Sequence, residues 1–182
     1  MPTKKESATS WGSVAAWYDT LLEADPHTYQ QQVILPNPLR MMDIQKGETI
    51  LDIGCGQGFF SREFYKSGAR VIGVDVSSEL ISFARKNSSP EIIYHVAGAE
   101  ALSFQSPVSI DKLAIILAIQ NMNHLDDVLM ECARVLKAGG SMYIVMNHPA
   151  FRIPKASGWG WDEKLGIQYR REDRYLSESR EE

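Results

Sequence analysis

LDIGCGQGFF occupies residues 51–60 and decides how the rest of the chain is read. Apolar residues run into three glycines, Gly54, Gly56 and Gly58, and a helical pattern follows. A strand that turns through glycine into a helix is a binding geometry. Glycine permits the sharp turn and the close approach of a ligand to the main chain. The helix start adds unpaired N–H groups and partial positive charge. The spacing then narrows the ligand. A dinucleotide turn reads GxGxxG, which would require glycine at position 59. Phe59 stands there instead. A kinase-type phosphate loop would continue into GK[ST], and no such continuation exists.

Working outward, the stretch is the first of several strand–helix alternations. "TILDIG" reads as a buried strand, and Gly58–Lys66 as a helix closed by Gly68. "RVIGVDV" is a second strand, after which Ser77 caps a helix carrying Leu80, Ile81 and Ala84. "EIIYHVAG" and "DKLAIILAI" are the third and fourth strands. The fourth is nearly all apolar, as in a strand covered on both faces. Asp126 is the expected N-cap of a helix bearing Val128, Leu129, Cys132, Val135 and Leu136, with "AGG" as its end and "SMYIVMN" as the fifth strand. Alternation of this kind predicts right-handed βαβ units and a parallel sheet. Asp75, at the end of the second strand and 21 residues after Gly54, is placed to accept hydrogen bonds from ribose hydroxyls. It indicates adenosine without choosing between NAD and S-adenosylmethionine.

Before the alternation, Trp11, Ala15, Tyr18 and Leu22 form one apolar helical stripe. A second helix is expected from Pro26 until "LPNP", and a short one through Met41 and Met42 to Asp43. The chain of 182 residues suits one α/β domain. Its net charge of −4 implies no general pull toward nucleic acid or anionic membrane. The opening "MPTKKESATS" has no signal-peptide core. The longest apolar run, Leu113–Ile119, is far below the ~20 residues of a membrane span. Cys55 and Cys132 form no CxxC pair, and no Cys/His cluster has zinc spacing. A cytoplasmic, reduced protein without structural metal is expected.

Five blocks in order carry a family resemblance: "LDIGCGQGFFS", "GVDVSSELISFAR", "AGAEAL", "DKLAIILAIQNMNHLDD" and "ARVLKAGGSMYIV". Together they resemble class I S-adenosylmethionine-dependent methyltransferases, of the small-molecule type 11/25 kind, over roughly residues 45–147. The resemblance implies a Rossmann-like, doubly wound sheet in the order 3-2-1-4-5, continued in complete members by an antiparallel hairpin to 3-2-1-4-5-7-6. It also implies S-adenosylmethionine as methyl donor, S-adenosylhomocysteine as product and a small-molecule acceptor. Gly54 and Gly56 would line the methionine portion, with the Cys55 backbone close by. Asp52 would organise the turn or reach the amino group through water. Asp75 would hold the ribose, Val76 would pack on adenine, and Ala99 and Glu100 would edge it. Leu117, Ala118 and Gln120 would meet the methionine end and open onto the acceptor. Tyr18 lies on the N-terminal helix that covers the cofactor in many relatives.

One departure concerns adenine. Many relatives carry Asp-Ala-Glu after the third strand, where this chain has Gly98-Ala99-Glu100. The contact to the adenine amino group is lost, made by water, or taken over by Glu100. For catalysis, His148 in "NHP" is the candidate base, with Gln120 beside it; His124 reads as structural. Cys55 needs only to be small in its turn and is not expected as a nucleophile.

The residues after the fifth strand, 149–182, do not show the pattern of two buried strands. The expected organisation is therefore a helical cover at 1–45, a cofactor-binding core at 46–148, and an aromatic, charged tail at 149–182. The hairpin is expected to be absent, as in a truncated form. That would leave a fifth-strand edge for the tail, a partner or a second copy to cover. A non-catalytic cofactor-binding module is the alternative function. A nicotinamide-dependent oxidoreductase is disfavoured by Phe59.

Overall fold

The computed structural model describes residues 27–148 and 157–173. The expected Trp11–Leu22 stripe, and Tyr18 with it, lies outside the described residues. By their contacts the residues fall into two units, Met1–Val145 and Met146–Glu182.

In the first unit, a five-residue π-helical turn, Gln30–Ile34, ends just before "LPNP", as expected. Pro36 then opens helix α1, Pro36–Met42, at a position where its missing N–H costs nothing. The alternation follows: β1 Thr49–Ile53, α2 Phe59–Lys66, β2 Arg70–Asp75, α3 Ser78–Asn87, β3 Ile93–Val96, β4 Ile110–Ile116, α4 Leu125–Val135 and β5 Leu136–Val145. All five strands are parallel and ordered 3-2-1-4-5, the doubly wound arrangement expected.

The strand pleat divides the core between the two faces of the sheet. From β1, Ile50 joins Phe60 and Phe64 of α2 and Ile81 and Ala84 of α3. Leu51 and Ile53 join Val128, Cys132 and Val135 of α4. The opposite end of the sheet is tied by Asp111. One of its oxygens accepts from the Thr49 N–H at 2.9 Å and the other from Lys137 at 2.7 Å.

Two expected details are corrected. His124, not Asp126, is the N-cap of α4, in the left-handed region at φ 53°. Asp126 and Asp127 sit in the first turn, where their charge favours the helix dipole. The "AGG" segment does not end α4, which stops at Val135. It lies inside β5, whose pairing begins at once with Leu136 opposite Ile110 and shifts before Ser141 meets Lys112. Gly139, at φ 80°, supplies the conformation that this bulge requires.

The second unit overturns the expectation that no strands follow the fifth. Strands β6, Ser157–Asp162, and β7, Ile167–Glu172, pair antiparallel as a two-stranded sheet of their own. Asp162 closes the connection, its Oδ1 accepting from the N–H groups of Lys164 and Leu165 at 2.9 and 3.0 Å. Arg170, opposite Trp159, stacks on its ring at 5.4 Å. The glycines and charges between Trp159, Trp161 and Tyr169 concealed the two-residue period.

Phe64 is fully buried between α2 and the sheet. Phe64→Ala is expected to lower unfolding free energy by about 3–5 kcal/mol, measured by urea denaturation.

Candidate functional site

The ends of β1, β2 and β4 meet around a cavity of about 320 Å³, within the range of small-molecule sites. Its position at the carboxyl ends of parallel strands is where open α/β sheets bind ligands. The glycine turn forms one side. Its Gly54 and Cys55 N–H groups donate to the Val74 carbonyl at 2.8 and 3.0 Å, docking the turn onto the end of β2. Gly54 has φ 71° and faces β4, where an added Cβ would stand 2.5 Å from the Ala118 Cβ. Only glycine fits there. At Gly58, φ 83°, a Cβ would strike the Tyr94 hydroxyl.

Asp75 organises the next side. Its Oδ2 accepts from the Gly56 N–H and its Oδ1 from the Ser77 N–H, each at 2.9 Å. Burial raises its pKa, and these backbone donors work against that rise. The Ser77, Gly56 and Val76 backbone N–H groups all favour its charged form, and of the about four acceptor positions of a carboxylate one stays for a ligand hydroxyl. Ser77 also caps α3, its hydroxyl accepting from the Leu80 N–H at 3.3 Å.

Eight of the expected residues line the cavity: Gly54, Gly56, Asp75, Val76, Ala99, Glu100, Leu117 and Ala118. Val76 is half exposed, an apolar surface beside the Asp75 carboxylate. Three others stand off the wall. Asp52 is buried on the α2 side of the sheet, where its Oδ2 accepts from the Ser61 hydroxyl at 2.5 Å. It ties β1 to the first turn of α2. The Cys55 side chain is buried in the same core face, and burial pushes its thiol pKa well up. Gln120 is exposed and turned back, donating from Nε2 to the Leu117 carbonyl at 2.7 Å. His148 is exposed and belongs to the second unit.

The wall also holds residues that the motifs did not indicate. Asn121, Met122, Asn123 and His124 continue it beyond β4. His124, expected to be structural, has no side-chain hydrogen bond among the described residues. The signal available was positional, since any loop leaving the carboxyl end of β4 borders the crevice. Leu117 and His124 bracket this segment, both with positive φ, at 54° and 53°. Non-glycine residues are costly there, and such strain gathers at ligand sites.

A methyltransferase domain model matches residues 51–144. A ubiquinone biosynthesis O-methyltransferase of Xylella fastidiosa is 30% identical over 128 residues, covering 66% of this chain and 52% of that protein. A biotin biosynthesis bifunctional protein BioHC of Cellvibrio japonicus is 32% identical over 157 residues, covering 86% of this chain and 30% of that one. An S-adenosylmethionine-dependent methyltransferase structure from Mesorhizobium loti superposes with TM-score 0.68 at 27% identity, covering 82% of this chain and 67% of that one. The chain belongs to the S-adenosylmethionine-dependent methyltransferase family. It spans about half the length of the ubiquinone-biosynthesis relative. Among the described residues, no helix is long and apolar enough to cross a membrane.

Asp52 carries a pH dependence. Burial, with a smaller push from Asp75, raises its pKa from 3.8 to about 7, against the Ser61 hydrogen bond. The folded state therefore holds this proton more tightly than the unfolded state. The stability it contributes is present at low pH and lost as pH rises toward 7, at no more than about 1.4 kcal/mol per pH unit. Asp52→Asn removes that slope. The melting temperature of the variant, relative to wild type, is expected to be higher at pH 8 than at pH 5.

Proposed function

We propose that this chain binds S-adenosylmethionine in the cavity and transfers its methyl group to a small-molecule acceptor by in-line displacement. The observation that carries the reading is the Asp75 carboxylate. It is fixed by backbone donors, lines the cavity, and retains an acceptor position for a ligand hydroxyl. That is the chemistry of a ribose diol.

The remaining residues fit the same ligand. Val76 offers an apolar surface to a purine, and Ala99 and Glu100 border its edge. The Gly54–Ala118 approach gives the methionine portion a wall without protruding side chains. When bound, the donor supplies an activated methyl on a sulfonium. The protein's part is to align the acceptor and exclude water. Gln120 is a positioning residue in this reading, since its amide holds the Leu117 carbonyl at the end of β4.

An acceptor that carries its proton into the reaction needs a base. His124 takes that role here because it borders the cavity. His148, in the second unit, is the alternative base. The ubiquinone-biosynthesis relative is named an O-methyltransferase, which supports a hydroxyl acceptor.

Titration calorimetry with S-adenosylhomocysteine tests the donor site. Folded protein that takes up none at millimolar ligand would exclude the reading. Asp75→Ala is expected to weaken binding by about 10- to 100-fold, as for loss of hydrogen bonds to a charged group. With an acceptor found by screening, His124→Ala is expected to lower kcat by about 10²–10⁴ and leave S-adenosylhomocysteine affinity within about threefold. The same loss in His148→Ala, with His124→Ala unaffected, would exchange the two roles. A folded, cofactor-binding chain that methylates nothing would instead be a binding module.

A further inference from the structure

Between β3 and β4 the chain runs through residues 97–109 with neither helix nor strand. Residues 97–100, its first part, are a wall of the cavity. A segment outside any ladder must bond its peptide groups elsewhere, and here helix α4 supplies the partners. The Leu102 N–H donates to Glu131 Oε2 at 2.9 Å, and the Leu102 carbonyl accepts from Arg134 Nη2 at 2.9 Å. Arg134 Nη1 donates to the Gln105 carbonyl at 3.0 Å. Glu131 and Arg134 are themselves joined twice, at 2.6 and 2.7 Å. One ion pair therefore grips Leu102 by both its N–H and its carbonyl, two residues along the chain from the wall.

The Leu102 side chain completes the hold. It is fully buried with Val128, Cys132 and Val135 of the same helix. The ion pair is partly exposed, and a surface pair adds little to stability by itself. Its arrangement is directional instead. The acid meets a donor, and the guanidinium fork meets two carbonyls, which a lysine cannot copy. Neither side chain lines the cavity. The other end of α4 does reach it, since its N-cap, His124, borders the cavity. Arg134 lies about 15 Å of helix further on. One helix thus joins the wall at its start and holds a second wall segment with its last turn.

We propose that Glu131 and Arg134 are positioning residues for the donor site: without touching the ligand, they hold residues 97–100 in place through the backbone of Leu102. This rests on the S-adenosylmethionine reading of the cavity.

The purified full chain is titrated with S-adenosylhomocysteine well below the melting temperature of each variant. Arg134→Ala, and Arg134→Lys, which keeps the charge without the fork, are expected to weaken binding by about 5- to 30-fold. Lys137→Ala breaks the ion pair with Asp111 at the other end of the sheet. It is the control, expected to keep the affinity within about twofold. Hydrogen exchange of the Ala101 and Leu102 amides is expected to be about tenfold faster or more in Arg134→Ala, with the β1 amides unchanged. Faster exchange with unchanged affinity makes the pair a structural tie only and overturns the proposal. So does lost affinity without faster exchange, an equal loss in Lys137→Ala, or full affinity in Arg134→Lys. Wild type that takes up no ligand overturns the cofactor reading itself, and this proposal with it.

Discussion

The carboxylate of Asp75 holds the site together. It joins the end of β2 to the glycine turn through the Gly56 N–H and to the start of α3 through the Ser77 N–H. The glycine turn, 19 residues away in sequence, thereby shares one anchor with the β2–α3 junction at the mouth of the crevice. In a partly buried setting such charge-assisted bonds are stronger than neutral ones. They also keep the oxygens pointing outward at fixed angles. A ligand hydroxyl arriving there meets acceptors that need no reorganisation.

Beneath it, Asp52 does a different task with the same functional group. It faces the buried side of the sheet and fastens the first turn of α2 through Ser61. Burial, with a smaller repulsion from Asp75, pushes the Asp52 pKa up to about 7 against the Ser61 hydrogen bond. One acid faces solvent and ligand, and the other secures the turn from the core. The cavity's remaining side is held by backbone strain, with Leu117 and His124 both in the left-handed region. The segment between them brings asparagine amides and an imidazole to the wall, and its shape depends on those two kinks.

Much of this was legible in order along the chain. The GxGxG spacing, Asp75 and the Ser77 cap are local features whose geometry follows from a strand, a turn and a helix start. The alternation of short apolar runs with helical faces implied right-handed βαβ units and a parallel sheet, and the family resemblance implied its order, 3-2-1-4-5. Less legible was which members of a motif face the ligand. Asp52 and Cys55 stand in the glycine motif, yet both side chains enter the core: Asp52 shares the face of Ile50 in the β1 pleat, and Cys55 lies beyond β1 in the turn docked on the Val74 carbonyl. Gln120, expected at the acceptor side, turns back onto the Leu117 carbonyl, and His124 borders the cavity, for a related reason. A left-handed residue redirects the chain, and the apolar periodicity around it gives no sign of the kink. The β6–β7 hairpin escaped notice because its alternation is diluted by glycine and charge, so its pairing depends on register across a turn.

The amino-acid order alone settled the fold class, the glycine turn and the acid at the end of β2, since each follows from short-range sterics and hydrogen bonding. The fold in space decided where the side chain of Glu100 lies. Its carboxylate lies over Gly98 because a missing Cβ two residues earlier left room for it, and a vacancy of that kind exists only once the backbone has turned.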